Sequence, residues 1–394
     1  MRLNKVFPKA ISILSTLVLG VASTLVAQNE INLERMQSRV DPVPIQLDGF
    51  TGETLAVLTF DLEVMGWEVV PSGKGQFALI GDNNGGLRGR LTDRLGGGTL
   101  FSRQYSSGSP RQQAHALANA VVEKVFRQKG IAHTKIAFRN RKAGGNYEIY
   151  VGDYDGYRSQ AVTRDQSNVA APAWVPGQLK LFYTSYKLRN PDIFSHDLKS
   201  GRRVAVSRYS GLNTSAAISA DGRKMAMILS KDGSPELYVS NVDGSGLRRL
   251  TKTREEEACP AWSPDGRQIC FTSAAGGGAR LYLINSNGGK MTRLKAAGAS
   301  GVFSEPDWSP DGEWIAFTAQ MGRRFHICIV EAGGGEAVVL AQGEDPSWAP
   351  NSRNIIFMRE KNGRKILSIL DVPTKRVKDV PQIMGTSSQP AWAR

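Results

Sequence analysis

Three phased series of large side chains, a last strand that completes the first repeat, and 42 glycines gathered between short apolar runs predict a mainly β protein. The architecture they specify is a six-bladed β-propeller preceded by a small α/β domain. The first series is Trp174, Ile218, Trp262, Trp308, Trp348 and Trp392, spaced 44, 44, 46, 40 and 44 residues apart. The tryptophans sit in the strings APAW, CPAW, EPDW, DPSW and QPAW. A second series keeps step through Phe138, Phe182, Met227, Phe271, Phe317 and Phe357, and a third through Tyr150, Phe194, Tyr238, Tyr282, Cys328 and Ser368.

Each unit reads as four short strands. In the clearest one, CPAWS is the first strand and PDG the turn; RQICFTS and ARLYLINS are the second and third strands. NGG turns the chain again, and KMTRLK is the fourth strand. A sheet this small cannot bury both faces alone, so the units stack in a ring, and the Trp and Phe series are read as the core between blades. The unit from Lys135 to Arg164 lacks a PAW strand before it, and the chain finishes on QPAWAR. The C-terminal strand is therefore expected to enter beside TKIAFRN and close the ring, removing free sheet edges. The propeller is assigned to residues 131–394.

Residues 45–130 read as the α/β domain. In TGETLAVLTFDLEVMG, Leu55, Leu58, Leu62 and Met65 recur at helical spacing, with Thr51 as N-cap and Gly66 as the stop. WEVV, QFALIG, GGLRGRLTD and GTLFSRQY read as strands. A second helix runs from the cap Ser109 and the opening Pro110 toward Gly130, with Ala114, Leu117, Val121 and Val125 on one face. Residues 28–44, polar and with two prolines, read as a mobile arm.

The first 27 residues have the layout of a secretory signal. Arg2, Lys5 and Lys9 are followed by an apolar stretch from Ile11 to Val26, interrupted by Ser and Thr, with small residues near Ala22 and Ala27. A transmembrane anchor needs about 20 apolar residues, so a soluble periplasmic product is expected. No cysteine stands at the exit for a lipid anchor. Losing the three basic residues lowers the formal charge from +14 to +11. The remaining Lys and Arg are scattered through turns, which reads as a solvated surface with some attraction for an anionic partner. Nucleic acid conflicts with the export signal. Cys270 and Cys328 lie inside apolar strands and read as core residues. Cys259 and Cys270 flank one tight turn, but Pro264-Asp265-Gly266 favours a type I turn with Gly266 left-handed, which sets Cys259 opposite Phe271; no disulfide is expected.

Catalytic patterns are not legible. His115, His133, His196 and His326 are dispersed without metal-ligand spacing. Ser195, His196 and Asp197 are neighbours on a strand and point to alternate faces, so they cannot form a relay. Asp221, Asp265 and Asp311 recur in Asp-Gly turns and read as turn formers. No cofactor or metal is called for.

The helix-to-blade segment AHALANAVVEKVFRQKGIAHTKIAF, the string VGDYDGY at Val151–Tyr157, the six PAWSPDG-type repeats and the closing PAW strand together resemble the TolB family over residues 28–394. That resemblance implies a non-enzymatic, monomeric scaffold of Gram-negative envelopes. Its propeller would bind the peptidoglycan-associated lipoprotein Pal, and its arm and small domain would bind TolA. Together these contacts would support outer-membrane integrity and constriction in cell division. The arm does not reproduce an obvious TolA-binding segment. A different class, a secreted propeller enzyme acting on glycans or peptides, would need convergent carboxylates or histidines in the channel, or an added hydrolase domain.

In each blade the connection from the fourth strand to the next PAW strand must reach the same rim of the channel. These connections hold Asn168, Asn213, Thr214, Glu255 to Glu257, Ser304, Glu305, Glu344, Asp345, Ser387 and Ser388. Acid immediately before the proline suggests a negative mouth, with Glu257, Glu305 and Asp345 facing a basic partner.

Overall fold

The computed structural model describes residues 40–141 and 145–394. The signal segment, and the arm up to residue 39, lie outside the described residues.

Strand β1 (Val43–Asp48) pairs in parallel with β2 (Trp67–Val69) and β3 (Phe77–Asp82), and β4 (Leu87–Asp93) and β5 (Gly98–Tyr105) extend the sheet antiparallel, in the order β2-β1-β3-β4-β5. β1 is absent from the sequence reading, which gave its first two residues to the arm. VPIQLD alternates weakly and carries a proline, yet it holds an interior position of the sheet with Ile45 fully buried. Pro44 is tolerated because a parallel strand between two short neighbours does not need every N–H.

Helix α1 (Gly52–Val64) starts at Thr51, whose side chain makes no cap to the helix; its N–H and hydroxyl turn instead to Asn83 Oδ1 at 3.0 and 3.3 Å. Helix α2 (Pro110–Phe126) has a full capping box, Ser109 accepting from Gln112 N and Gln112 reaching back. It ends at Arg127, left-handed at φ 56°, three residues before Gly130. Gly130 serves a different purpose: a Cβ there would lie 2.0 Å from Asn119 Oδ1. Gly66 does follow the end of α1, at φ 93°, and its missing Cβ leaves room for the Arg353 guanidinium.

The six blades are four-stranded antiparallel sheets. Blade 1 joins Thr386–Trp392 to Lys135–Arg141, Glu148–Asp153 and Gln160–Ala161. Blades 2 to 6 begin with inner strands Val169–Trp174, Asn213–Ile218, Glu257–Trp262, Val302–Trp308 and Glu344–Trp348. The ring is closed as the sequence predicts, with Trp392 opposite Ile136 and Ala391 opposite Ala137. The five tryptophans of the first series are buried, and Ile218 in the remaining place is half-buried. Across strands, Phe138 faces Tyr150, Met227 faces Tyr238, Phe271 faces Tyr282, Phe317 faces Cys328 and Phe357 faces Ser368. Blade 2 is offset by one residue, so Phe194 faces Tyr183 and stacks on it. A short parallel pair, Ala296–Ala297 with Gly335–Glu336, is an addition no repeat announces.

The small domain sits on the rim that carries the Pro-Asp-Gly turns. Its core runs without a break into the propeller, from Leu58, Met65 and Trp67 through Ala349, Ile356 and Leu367 to Tyr154 and Trp392. Ion pairs Arg376–Glu68 (2.9 Å) and Lys378–Glu63 (2.5 Å) flank the contact with blade 6. VGDYDGY forms the contact with blade 1. Buried Asp61 of α1 receives a hydrogen bond from Tyr154 and lies 2.7 Å from His115 Nδ1; Arg111 pairs with Asp155 and lies over the Tyr157 ring.

Candidate functional site

The inner strands leave an axial channel of about 480 Å³, lined by the PAW motifs of all six blades. Its narrowest chemistry comes from one feature repeated six times. The residue before each motif proline, or its equivalent, is left-handed: Ala171 (φ 49°), Ser215 (55°), Cys259 (48°), Glu305 (53°), Asp345 (60°) and Gln389 (50°). At each of these positions the inner strand shifts register against the second strand. The bulge turns six side chains into the channel as a ring. Non-glycine residues in this region cost about 1–2 kcal/mol each, so the conformation must be held from outside the residue.

Neighbouring blades hold it. Glu305 Oε2 accepts from Asp345 N at 3.0 Å and from Thr318 Oγ1 at 2.7 Å. Asp345 Oδ2 accepts from Gln389 N at 2.9 Å, and Gln389 Oε1 from Ala171 N at 3.0 Å. Two residues further on, Asp307 Oδ2 accepts from Trp348 N at 2.7 Å, and Ser347 Oγ from Trp392 N at 3.1 Å. Each side chain thus satisfies the bulged backbone of the next blade, linking blades 5, 6, 1 and 2. Burial, then the adjacent Glu305 carboxylate, holds Asp345 well above the usual carboxylate range. Burial pushes the Cys259 thiol up to about 12, and raises Asp307 against the pull of its ion-pair partner Arg394. The channel does contain convergent carboxylates, and each of the three is engaged in holding the ring.

The residues expected at the mouth divide accordingly. Most lie at or next to the start of the inner strands, while Glu255 and Glu256 lie in the connection before blade 4 and are exposed. Asn213 is buried, receiving Ser207 Oγ and Tyr209 N, both at 2.8 Å. Glu257 is 2% exposed and receives Thr253 Oγ1 at 2.8 Å, so it cannot meet a partner at the surface. Ser387, bonded to Asn140, and Ser388 are also buried. Glu305 and Asp345 point into the channel, Thr214 is half-buried, and Glu344 pairs with Lys365. Asn168 is exposed and receives Arg139 Nη2. The mouth is therefore not an acidic one. The side chains most exposed there come from the blade-to-blade connections, which the repeat pattern does place at this rim, and from the hairpins between second and third strands, which it does not single out.

That rim is open, opposite the small domain. It gathers exposed Tyr186, Leu188, Tyr209, Val302, Phe325 and Met384, the last 80% exposed. Interspersed with them are exposed arginines, among them Arg189, Arg323, Arg324 and Arg364. Aromatic residues, methionine and arginine are the types enriched where proteins bind proteins. The Asp-Gly turns lie on the opposite rim, where Asp221, Asp265 and Asp311 each accept from the serine two residues before. His196 and the other histidines form no metal-binding group with Cys, Asp or Glu among the described residues. The three cysteines are free. No helix among the described residues is long and apolar enough to cross a membrane.

Comparison with known proteins gives a consistent picture. The structure resembles that of TolB from Acinetobacter baumannii with a TM-score of 0.81 at 22% identity, covering 91% of this chain and 98% of that one. A putative TolB from Agrobacterium tumefaciens matches with a TM-score of 0.50 at 19% identity over 64% of this chain and 90% of that one. At these identities the likeness is one of fold. The Tol-Pal system protein TolB of Francisella tularensis subsp. tularensis is 30% identical over 149 residues, 36% of this chain. The match spans about a third of that relative's length, 34%. The family described as "TolB beta propeller domain" matches residues 122–394, from within α2 to the C-terminal strand. The chain belongs to that TolB β-propeller family.

Proposed function

We propose that this chain is a periplasmic protein-binding scaffold of the Tol-Pal type rather than an enzyme. Its open rim docks a Pal-like peptidoglycan-associated lipoprotein. The small domain, on the opposite rim, and the arm that precedes it in sequence engage a TolA-like inner-membrane protein, and the two contacts together serve outer-membrane integrity and envelope constriction in division. The observation that carries this reading is the distribution of exposed apolar residues: six large ones lie around one mouth of the ring, on the rim opposite the one where the small domain packs against blades 1 and 6. The engagement of the channel carboxylates by backbone of the next blade supports a structural role for them over acid–base chemistry.

Titration of the purified chain with the soluble domain of the Pal-like lipoprotein, by calorimetry, tests the site. Replacing Tyr186 and Tyr209 together by Ala should weaken binding at least about tenfold, since interface tyrosines commonly contribute more than about 1 kcal/mol each. Undiminished affinity would move the docking site off this rim.

A further inference from the structure

The sign of the charge on the open rim was expected to be negative, and the structure reverses it. Of the acids named for that expectation, Glu257 is buried, Glu305 and Asp345 turn into the channel and Glu344 pairs with Lys365, leaving Glu255 and Glu256 exposed. The hairpins and connections at the surface are instead rich in arginine. Arg164, Arg189, Arg254, Arg323, Arg324 and Arg364 are all exposed. They come from the connection leading into blade 2, the hairpins of blades 2, 5 and 6, and the connection leading into blade 4, so they surround the mouth. None of them forms an ion pair among the described residues, although Arg203, Arg208, Arg249 and Arg359 on the same side do, with Asp165, Asp192, Glu236 and Asp379. Among the described residues, the exposed acids of this rim without an ion pair are Glu255, Glu256 and Glu360. The rim is thus an array of guanidinium groups without acidic partners, set among exposed tyrosine, leucine, phenylalanine and methionine.

From this we propose that the open rim selects a protein partner with an acidic face, the carboxylates of that partner pairing with the unpaired arginines while its apolar residues meet Tyr186, Leu188, Tyr209 and Phe325. Guanidinium is suited to this, because its planar fork takes a carboxylate with two parallel hydrogen bonds and it is more weakly hydrated than an ammonium. The mixture of apolar and cationic side chains favours a folded acidic surface over a purely polyanionic one. Glu305 and Asp345 line the inside of the channel rather than the rim, and burial disfavours the charged form of Asp345, so they oppose an approaching acidic face weakly. The inference rests on the docking site proposed above and adds the charge of what docks.

The test measures association rates between the full chain and the soluble Pal-like domain at several salt concentrations, using the wild type and R323E/R324E/R364E. These positions lie in exposed hairpins, away from the core, so the variant should keep the wild-type melting curve. At low salt the wild-type rate should be at least about tenfold above that of the triple variant, and it should fall steeply with salt while the variant's does not. Equal rates and equal salt slopes would overturn the acidic-partner inference while leaving the docking site standing. Should the wild type not bind the Pal-like domain, that domain is not the partner. An acidic face is then read with a 20-residue polyglutamate peptide and with phosphatidylglycerol vesicles. Arginine-dependent binding of the peptide upholds the inference with another partner. Binding of vesicles alone, or of neither probe, overturns it.

Discussion

At the scale of single residues, two buried acid sites show why composition does not report charge. Asp345 and Glu305 are adjacent members of the bulge ring, joined through Asp345 N, and burial together with the Glu305 charge disfavours the ionised form of Asp345. A carboxyl raised in the folded state above its ordinary 3.8 contributes stability that is complete below that value. The contribution is lost as pH rises through the raised value. Asp345→Asn keeps an oxygen for Gln389 N and removes the titration. Thermal melts from pH 5 to 9 should therefore show the wild type losing stability relative to the variant as pH rises; parallel curves would contradict this. The second site joins the two parts of the molecule. Burial raises Asp61 despite its bonds to His115 and Tyr154. For His115, burial opposes the charged form, but the hydrogen bond and charge of Asp61, with Asp155, outweigh it and leave the imidazole raised. Arg111 and His133 also face it, at the guanidinium pairing with Asp155 and at a ring distance of 6.0 Å. Both shifts are upward, so the contribution of His115 is complete below the ordinary histidine value of 6.5 and is lost as pH rises through its raised value. That of Asp61 is complete only below 3.8 and is lost through its own raised value. His115→Ala, which leaves Asp61 buried without its partner, should cost about 3–5 kcal/mol and abolish the decline between pH 6 and 9 in denaturant titrations.

At the scale of elements, the closing strand carries more than edge pairing. Trp392 stacks with Tyr154 and donates to Thr134 Oγ1 at 2.8 Å; Arg394 pairs with Asp307 and its carbonyl receives Gly177 N at 3.0 Å. Four elements from blades 1, 2 and 5 and the interdomain contact meet on six residues. Deleting residues 389–394 should lower stability by more than about 5 kcal/mol, given that burying one Trp is worth about 3–5 kcal/mol. An unchanged melting temperature would show that the strand is dispensable. The repeat pattern made this strand legible, because a first strand without a second at one end and a second without a first at the other admit one pairing. It did not make β1 legible, since six residues with a proline give no period to read, and the strand is held by its pairing to β2 and β3 and by the burial of Ile45 in the small-domain core.

For the whole molecule, the continuous core between the small domain and blades 1 and 6 predicts one cooperative unit. Differential scanning calorimetry should give a single endotherm, and destabilising substitutions in α2 should shift the whole transition. Two separated peaks would show that the domains melt independently. The same arrangement gives the ring two unlike faces, one carrying the small domain beside blades 1 and 6 and one free of it, and the free face is where the proposed partner docks.

The ring, its six-fold count and its closure follow from sequence alone, because periodic apolar side chains at 40–46-residue spacing can be buried only by stacking equal sheets. The site was only half legible. Asn168, Thr214, Glu305 and Asp345 were read to the correct end of the inner strands, but which of them faces a partner depends on a bulge that the one-dimensional pattern does not encode. That bulge rotates Glu305 and Asp345 inward and leaves Glu257 beneath Thr253. The arginines of the hairpins, unremarkable as scattered turn residues, become a surface only when six blades bring them to one rim. Charge in sequence is additive, whereas charge at a mouth depends on which side chains the backbone turns toward water, and the tertiary structure decided that.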